Sequence, residues 1–341
     1  MQKDQYWQKI RGICILAVVW IHASGFSNEL NYNSFNGIYF FVIRNLLSFP
    51  VPVLFFLAGY YTKKCNNWVV FLKKRLVRIG IPYLIFSMCY MLFQILLYAR
   101  IGDVVDMKNY LIKVPRILLL GEAATPFYYS IVLLIFTLIT PLLYSIMDTA
   151  HYKIPFYISG VFVLLLYYYQ LTGNEMVRFF PLTPIWLCFY YYGIITKTKK
   201  HITFGGNMLA ILCAISILLM LMESWTLIQF TNTGAFAYSQ MRISAFLYAG
   251  AIIQYCIQKY KIDYIQTPLS TLGDLSYGIY SIHCFWMQFF WIAYEKNHNF
   301  QKCLLVIVQG GEVFITLFLS IITIIILHNL FKQKSKMLFG I

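Results

Sequence analysis

The sequence has 341 residues, 60% of them hydrophobic and only 11% charged, with a mean hydropathy of +0.68. Soluble domains carry roughly 25% charged residues, so this composition excludes an ordinary soluble fold and points to an integral membrane protein with many spans. The net charge of +15 is no argument for nucleic acid, because the basic residues fall in short clusters between apolar runs, the pattern of positive-inside topology.

A span needs about 20 mostly apolar residues. Ten such segments are predicted in chain order, near 12–27, 37–62, 80–99, 127–147, 154–172, 180–196, 204–222, 236–257, 275–294 and 303–330. The first lacks a small-residue cleavage site and carries a histidine, so it reads as a retained helix and not a signal peptide. Between the third and fourth lies Val114–Pro126, apolar but too short to span. It is expected as an interfacial or re-entrant helix that places Glu122 over the bundle. No repeat, low-complexity tract or appended soluble domain interrupts the chain, which reads as one membrane domain over 1–341, a polytopic all-α helix bundle.

Charge sets the expected orientation. With the N-terminus inside, inner segments hold 18 of the 27 Lys and Arg and outer segments 7, the other two being Arg44 and Arg242 within spans. This bias predicts both termini in the cytoplasm and an even number of spans.

Three stretches carry candidate chemistry. Arg11 and His22 lie eleven residues apart, which on a helix brings them within roughly 20° of one face and about 16 Å apart. An ionisable residue near mid-bilayer is a functional candidate by default, and a near-neutral imidazole serves as general base or acid. The competing reading is a histidine bonded to a neighbouring helix and an arginine obeying topology. Arg75 and Arg78, at i and i+3, share a helix face, and paired guanidinium forks suit phosphate; a basic cytoplasmic interface would equally place charge there. His283 lies nine residues beyond Asp274 on another span, either facing a cavity shared with His22 or packed as a bonded core residue. Arg44, Arg242 and Glu312 also fall within apolar runs and are expected in ion pairs. Eight cysteines show no metal spacing, so no metal is expected.

Five pieces, in order, resemble the acyltransferase 3 family of multi-pass bacterial membrane proteins. Arg11 and His22 fit its Arg-x10-His motif, and Pro52-Val-Leu-Phe-Phe-Leu-Ala-Gly-Tyr60 fits its FF..SGY pattern with Ala58 where serine is usual. Arg75-x-x-Arg78 with Ile81-Pro82-Tyr83 fits its basic loop. Thr125-Pro-Phe-Tyr-Tyr through Thr140-Pro141 fits its LWFL…P span more loosely, with Phe127 in place of tryptophan. Leu272-Gly through Ile282-His283 fits its LG..SYGIYLIH signature.

The resemblance implies transfer of an acyl group, usually acetyl, from cytoplasmic acyl-CoA to a hydroxyl of a cell-envelope polysaccharide or lipid-linked sugar, at the bacterial plasma membrane. On that reading His22 and Arg11 are catalytic, and Arg75 and Arg78 bind the phosphates of acetyl-CoA or another acyl-CoA. Glu122 and His283 are possible supports, with Glu29 and Glu312 as further carboxylates that can orient His22. The alternative is a transporter of a small, amino-acid-like molecule on the same fold, because a related membrane module is fused to amino-acid racemases.

Overall fold

A computed structural model of the protein describes residues 4–23, 34–102, 104–172, 183–198, 205–231, 234–295 and 304–340. Among them every regular element is a helix. In order these are α1 (Tyr6–His22), α2 (Phe35–Leu46), α3 (Pro50–Tyr60), α4 (Trp68–Ile101), α5 (Val104–Leu120), α6 (Tyr128–Ile146), α7 (Ile154–Leu171), α8 (Leu187–Thr198), α9 (Gly206–Thr231), α10 (Gly234–Ala237), α11 (Ile243–Lys259), α12 (Pro268–Asp274), α13 (Ser276–Glu295), α14 (Leu305–Phe331) and α15 (Ser335–Leu338). Among the described residues, six segments are long and apolar enough to cross a membrane: Phe35–Tyr60, Trp68–Arg100, Thr125–Ile146, Ile154–Leu171, Gly206–Phe230 and Leu305–Leu338. The protein is therefore a multi-pass helical membrane protein. The predicted spans at 12–27, 180–196, 236–257 and 275–294 overlap α1, α8, α11 and α13, the third with a non-helical break at 238–242 before α11. Each is too short or too polar to qualify as a span by length and hydropathy.

Three predicted elements take a different form. The second span is broken: α2 ends at Leu46 and α3 restarts at Pro50, which sits at its first position. A proline has no N–H to give the turn behind it, and the Leu46 carbonyl accepts instead from the Tyr248 hydroxyl at 3.2 Å. The third span and the basic stretch before it are one 34-residue helix, α4, about 51 Å long. Asn67 caps its start through a side-chain bond to the Val70 N–H, and Gly102 ends it in the left-handed region at φ 75°. Arg75 and Arg78 thus lie on the same helix that enters the bundle, just ahead of its internal Pro82. The chain beyond α14 folds back as well: Phe339 packs on Phe86 and Phe331, and Gly340 sits against the Tyr277 ring.

Two helix pairs meet backbone to backbone. On α1 and α12, a Cβ at Gly12 would overlap the Leu269 carbonyl oxygen, and one at Gly273 would overlap the Gln8 carbonyl oxygen. On α3 and α8, Gly59 faces the Tyr190 carbonyl and Gly193 faces that of Phe56. Without a hydrophobic force between helices in lipid, such close approach of small residues is what holds them together. Gly59 and Gly273 fall within the motif stretches read from the sequence, and these seams give them a physical reason. Because the overlapping atoms are backbone, Gly193→Leu is expected to lower the thermal midpoint of the purified protein by several degrees or to prevent its accumulation. Gly80→Leu, where nothing lies within 4 Å of a new Cβ, should leave it unchanged in a differential scanning fluorimetry comparison.

The start of α1 is pinned from the side. Lys9 is paired with Asp263, Tyr260 donates to Asp4 at 2.7 Å, and the Tyr6 hydroxyl donates to the Cys256 carbonyl at 2.8 Å. The Lys9 ammonium bonded to Asp263 holds that carboxyl below its usual range. This tie is present above the ordinary carboxylate pKa and is lost only as pH falls through the lowered value.

Candidate active site

A cavity of about 430 Å³ opens among α1, α3, α4, α6 and α13, within the size range of small-molecule sites. Gln8, Arg11 and Ile15 supply one wall from a single face of α1, and Arg75, Arg78 and Ile79 a second from α4. No Asp or Glu is among its lining residues, counted over the described residues. The mouth is therefore cationic and uncompensated, a setting that favours an anion.

Local contacts hold the three arginines in place. The Arg11 guanidinium stacks over the Tyr61 ring at 5.3 Å and donates to Gln8 Oε1 at 3.3 Å, while Arg75 lies over Phe71 at 5.5 Å. Tyr277 donates to the Ile79 carbonyl at 3.2 Å, tying α13 to α4 beside Arg78. Arg75 is half-buried and Arg78 exposed, so the pair runs from the wall of the cavity to its rim.

Deeper in, the lining turns apolar and phenolic, with Ile15, Leu54, Leu133, Tyr129 and Tyr280. Tyr280 is buried and donates to the Pro126 carbonyl, and Ser130 donates to its oxygen at 3.4 Å. Beyond Tyr280 stand the two histidines. The His283 ring is 6.4 Å from that of Tyr280 and 5.2 Å from that of His22, centroid to centroid. His283 is fully buried, and its Nδ1 faces the carbonyls of Ile279 and Tyr280 at 3.0 and 2.8 Å. Nδ1 must therefore carry the proton, which leaves Nε2 as an acceptor, 3.3 Å from Cys284 Sγ. His22 ends α1, half-buried, on the face that continues from Gln8, Arg11 and Ile15 two turns further on.

A family model described as an acyltransferase domain matches residues 5–329. The chain belongs to the acyltransferase 3 family. No curated protein and no solved structure matches it. As a member of this acyltransferase family with several apolar helices, the protein is a multi-pass membrane acyltransferase.

The structure gathers Arg11, Arg75 and Arg78 on one cavity and sets His22 against His283 beyond its deep end. His283 is a bonded core group whose ring neighbours that of His22, and neither histidine is among the residues that line the cavity. Glu122 stands apart, in the turn after α5, where Arg116 Nη2 donates to its Oε1 at 3.1 Å on the exposed surface. Glu29 lies outside the described residues. The ion pairs expected for the remaining buried charges are replaced by other arrangements. Arg242 donates to the Ser239 and Met220 carbonyls and to Asn45 Oδ1, Arg44 donates to the Ile21 carbonyl at 2.9 Å, and neither Glu312 oxygen has a hydrogen-bond partner among the described residues. A guanidinium has five donors and binds several carbonyls at once, so in an acid-poor chain the backbone takes the role of the carboxylate. Sequence reasoning missed Tyr129, Ser130 and Tyr280. All three sit in stretches it had singled out, but among 28 tyrosines nothing distinguishes a lining phenol from a packing one.

Proposed function

We propose that the protein is a membrane O-acyltransferase that moves an acyl group, in the simplest case acetyl, from cytoplasmic acyl-CoA to a hydroxyl of a cell-envelope polysaccharide or lipid-linked sugar. The observation that carries this is the convergence of Arg11, Arg75 and Arg78 on a cavity with no acidic lining. Arg75 and Arg78 bind phosphate groups of the donor as bidentate forks. Arg11, one turn before Ile15 on the same face, guides the thioester end inward toward the histidines.

There His22 acts as general base. Its imidazole takes the proton from the acceptor hydroxyl, the hydroxyl oxygen attacks the thioester carbonyl, the new C–O bond forms and the C–S bond breaks. The departing CoA thiolate then regains a proton from the imidazolium. His283, fixed as its Nδ1–H tautomer, positions the His22 ring.

We place the protein in the bacterial plasma membrane with ten spans and both termini inside, because the four shorter helices join the six long ones in one bundle and the charge bias supports that orientation. In intact cells, Ser34→Cys is then expected to react with an impermeant maleimide, and the native Cys65 only after permeabilisation. The reverse pattern overturns the orientation.

The deciding experiment is mass spectrometry of envelope glycans from cells with and without the gene. Disappearance of acyl-bearing glycan species on deletion, and their return on complementation, supports the enzyme. Unchanged glycans together with lost uptake of a small amino-acid-like solute would favour transport instead, a reading to which the break between α2 and α3 lends some support, since interrupted helices line transporter sites.

A further inference from the structure

The phosphate grip leaves one polar group of the cavity unused. Four tyrosines line it: Tyr61, Tyr129, Tyr277 and Tyr280. Three are engaged by the protein itself. The Arg11 guanidinium covers the Tyr61 ring, Tyr277 donates to the Ile79 carbonyl, and Tyr280 donates to the Pro126 carbonyl. The Tyr129 hydroxyl has no hydrogen-bond partner among the described residues. The residue is 9% exposed, and its oxygen keeps accessible surface on the cavity instead of being sealed in the bundle.

Its position is fixed from behind. Tyr129 is the second residue of α6. Its ring packs on Phe55 at 4.4 Å and on Tyr280 at 5.6 Å, and Phe55 is backed in turn by Phe136 and Trp186 at 5.4 and 5.9 Å. Arg11 and Tyr277, which belong to the lining, are both within electrostatic range of the hydroxyl. The phenol is therefore a preset donor that faces the cavity, with only its hydrogen free to turn.

The surroundings decide what it meets. Arg75 and Arg78 stand at the wall and the rim, where charge favours phosphate. Past them the lining is Ile15, Leu54 and Leu133, with Tyr129 among them. An apolar stretch with a single placed donor suits an uncharged ligand segment that carries an acceptor. The pantetheine arm of an acyl-CoA has that character: it is a flexible chain without charge, and two amides interrupt it between the diphosphate and the thioester. A ligand that displaces water from the phenol and offers no acceptor loses affinity, so a plain alkyl chain is a poor match at this wall.

We propose that Tyr129 binds the arm of the donor: its hydroxyl donates to an amide carbonyl of pantetheine and fixes how far the thioester reaches past the arginines. The inference rests on the acyltransferase reading and adds a recognition site for the arm, separate from the phosphate grip.

Calorimetry on the purified protein in nanodiscs tests it with two ligands, coenzyme A and adenosine 3′,5′-bisphosphate, which carries phosphates and lacks the arm. Tyr129→Phe keeps the ring contacts and removes only the hydroxyl. It should bind coenzyme A about tenfold more weakly than the parent and the bisphosphate equally well. Tyr128→Phe, the same change at the neighbouring position outside the cavity lining, should match the parent with both ligands. Undiminished coenzyme A binding by Tyr129→Phe, an equal loss for both ligands, or the same loss in Tyr128→Phe overturns the inference. A parent that binds neither ligand defeats the donor reading itself and the arm site with it. A parent that binds both with equal affinity keeps the phosphate grip and removes the arm site.

Discussion

His22→Ala is expected to lower acyl transfer by about 10²–10⁴-fold, the range that a positioned general base supplies, while leaving the protein folded and able to bind donor. The structural ground is the separation of roles along α1. Its fold is secured at the other end by the Gly12 and Gly273 seam and by the Lys9–Asp263 pair, and the donor contact proposed for it comes from Arg11, which lines the cavity. His22 takes no part in either; it sits half-buried at the last helical position with its ring against His283. Loss of activity should thus appear in turnover, with coenzyme A affinity measured by calorimetry close to that of the parent. A well-expressed His22→Ala protein with parental turnover would remove the proposed base.

Charge-preserving replacement of the arginine pair should produce the second large effect. Arg75→Lys with Arg78→Lys keeps the positive charge that topology requires but loses the planar fork that grips phosphate oxygens two at a time. Donor affinity is expected to weaken by at least about tenfold, or roughly 1.4 kcal/mol, with insertion and acceptor handling spared. Both residues lie within the continuous helix α4, so the substitution changes the grip without loosening its support. Equal coenzyme A binding by the double lysine protein and the parent would reduce the pair to a topology signal. The donor site would then be sought first around Arg11 and Lys197, whose ammonium lies over the Tyr60 ring at 5.3 Å.

Much of this arrangement was legible in the sequence because it depends on local periodicity. The eleven-residue spacing from Arg11 to His22 places them on one helix face, and the i, i+3 spacing does the same for Arg75 and Arg78. What was not legible depends on contacts between distant segments. Nothing in residues 37–62 alone fixes where the helix breaks, since Pro50 and Pro52 are tolerated at the start of a helix as well as at a kink; the Tyr248 hydroxyl, about 200 positions away, donates to the freed Leu46 carbonyl. The pairing of Glu122 with Arg116 was likewise hidden, because the turn at Gly121, with φ 72°, decides which way that carboxylate faces. The return of Phe339 and Gly340 to the bundle could not be read from a basic tail that looks like a topology signal.

The backbone seam between α1 and α12 also sets the tolerances of the enzyme. With Gly12 packed on the Leu269 carbonyl and Gly273 on that of Gln8, α1 cannot slide or roll on its neighbour, so it behaves as a rigid spacer with a guanidinium at one mark and an imidazole at another. An exposed side chain between those marks, such as Ile13, can change in size and the spacer still reads correctly. Its phase cannot change: one residue inserted between Arg11 and His22 turns everything beyond it by about 100°, and the imidazole then points away from His283 although every side chain is still present. Register, more than composition, is what this first helix has to preserve.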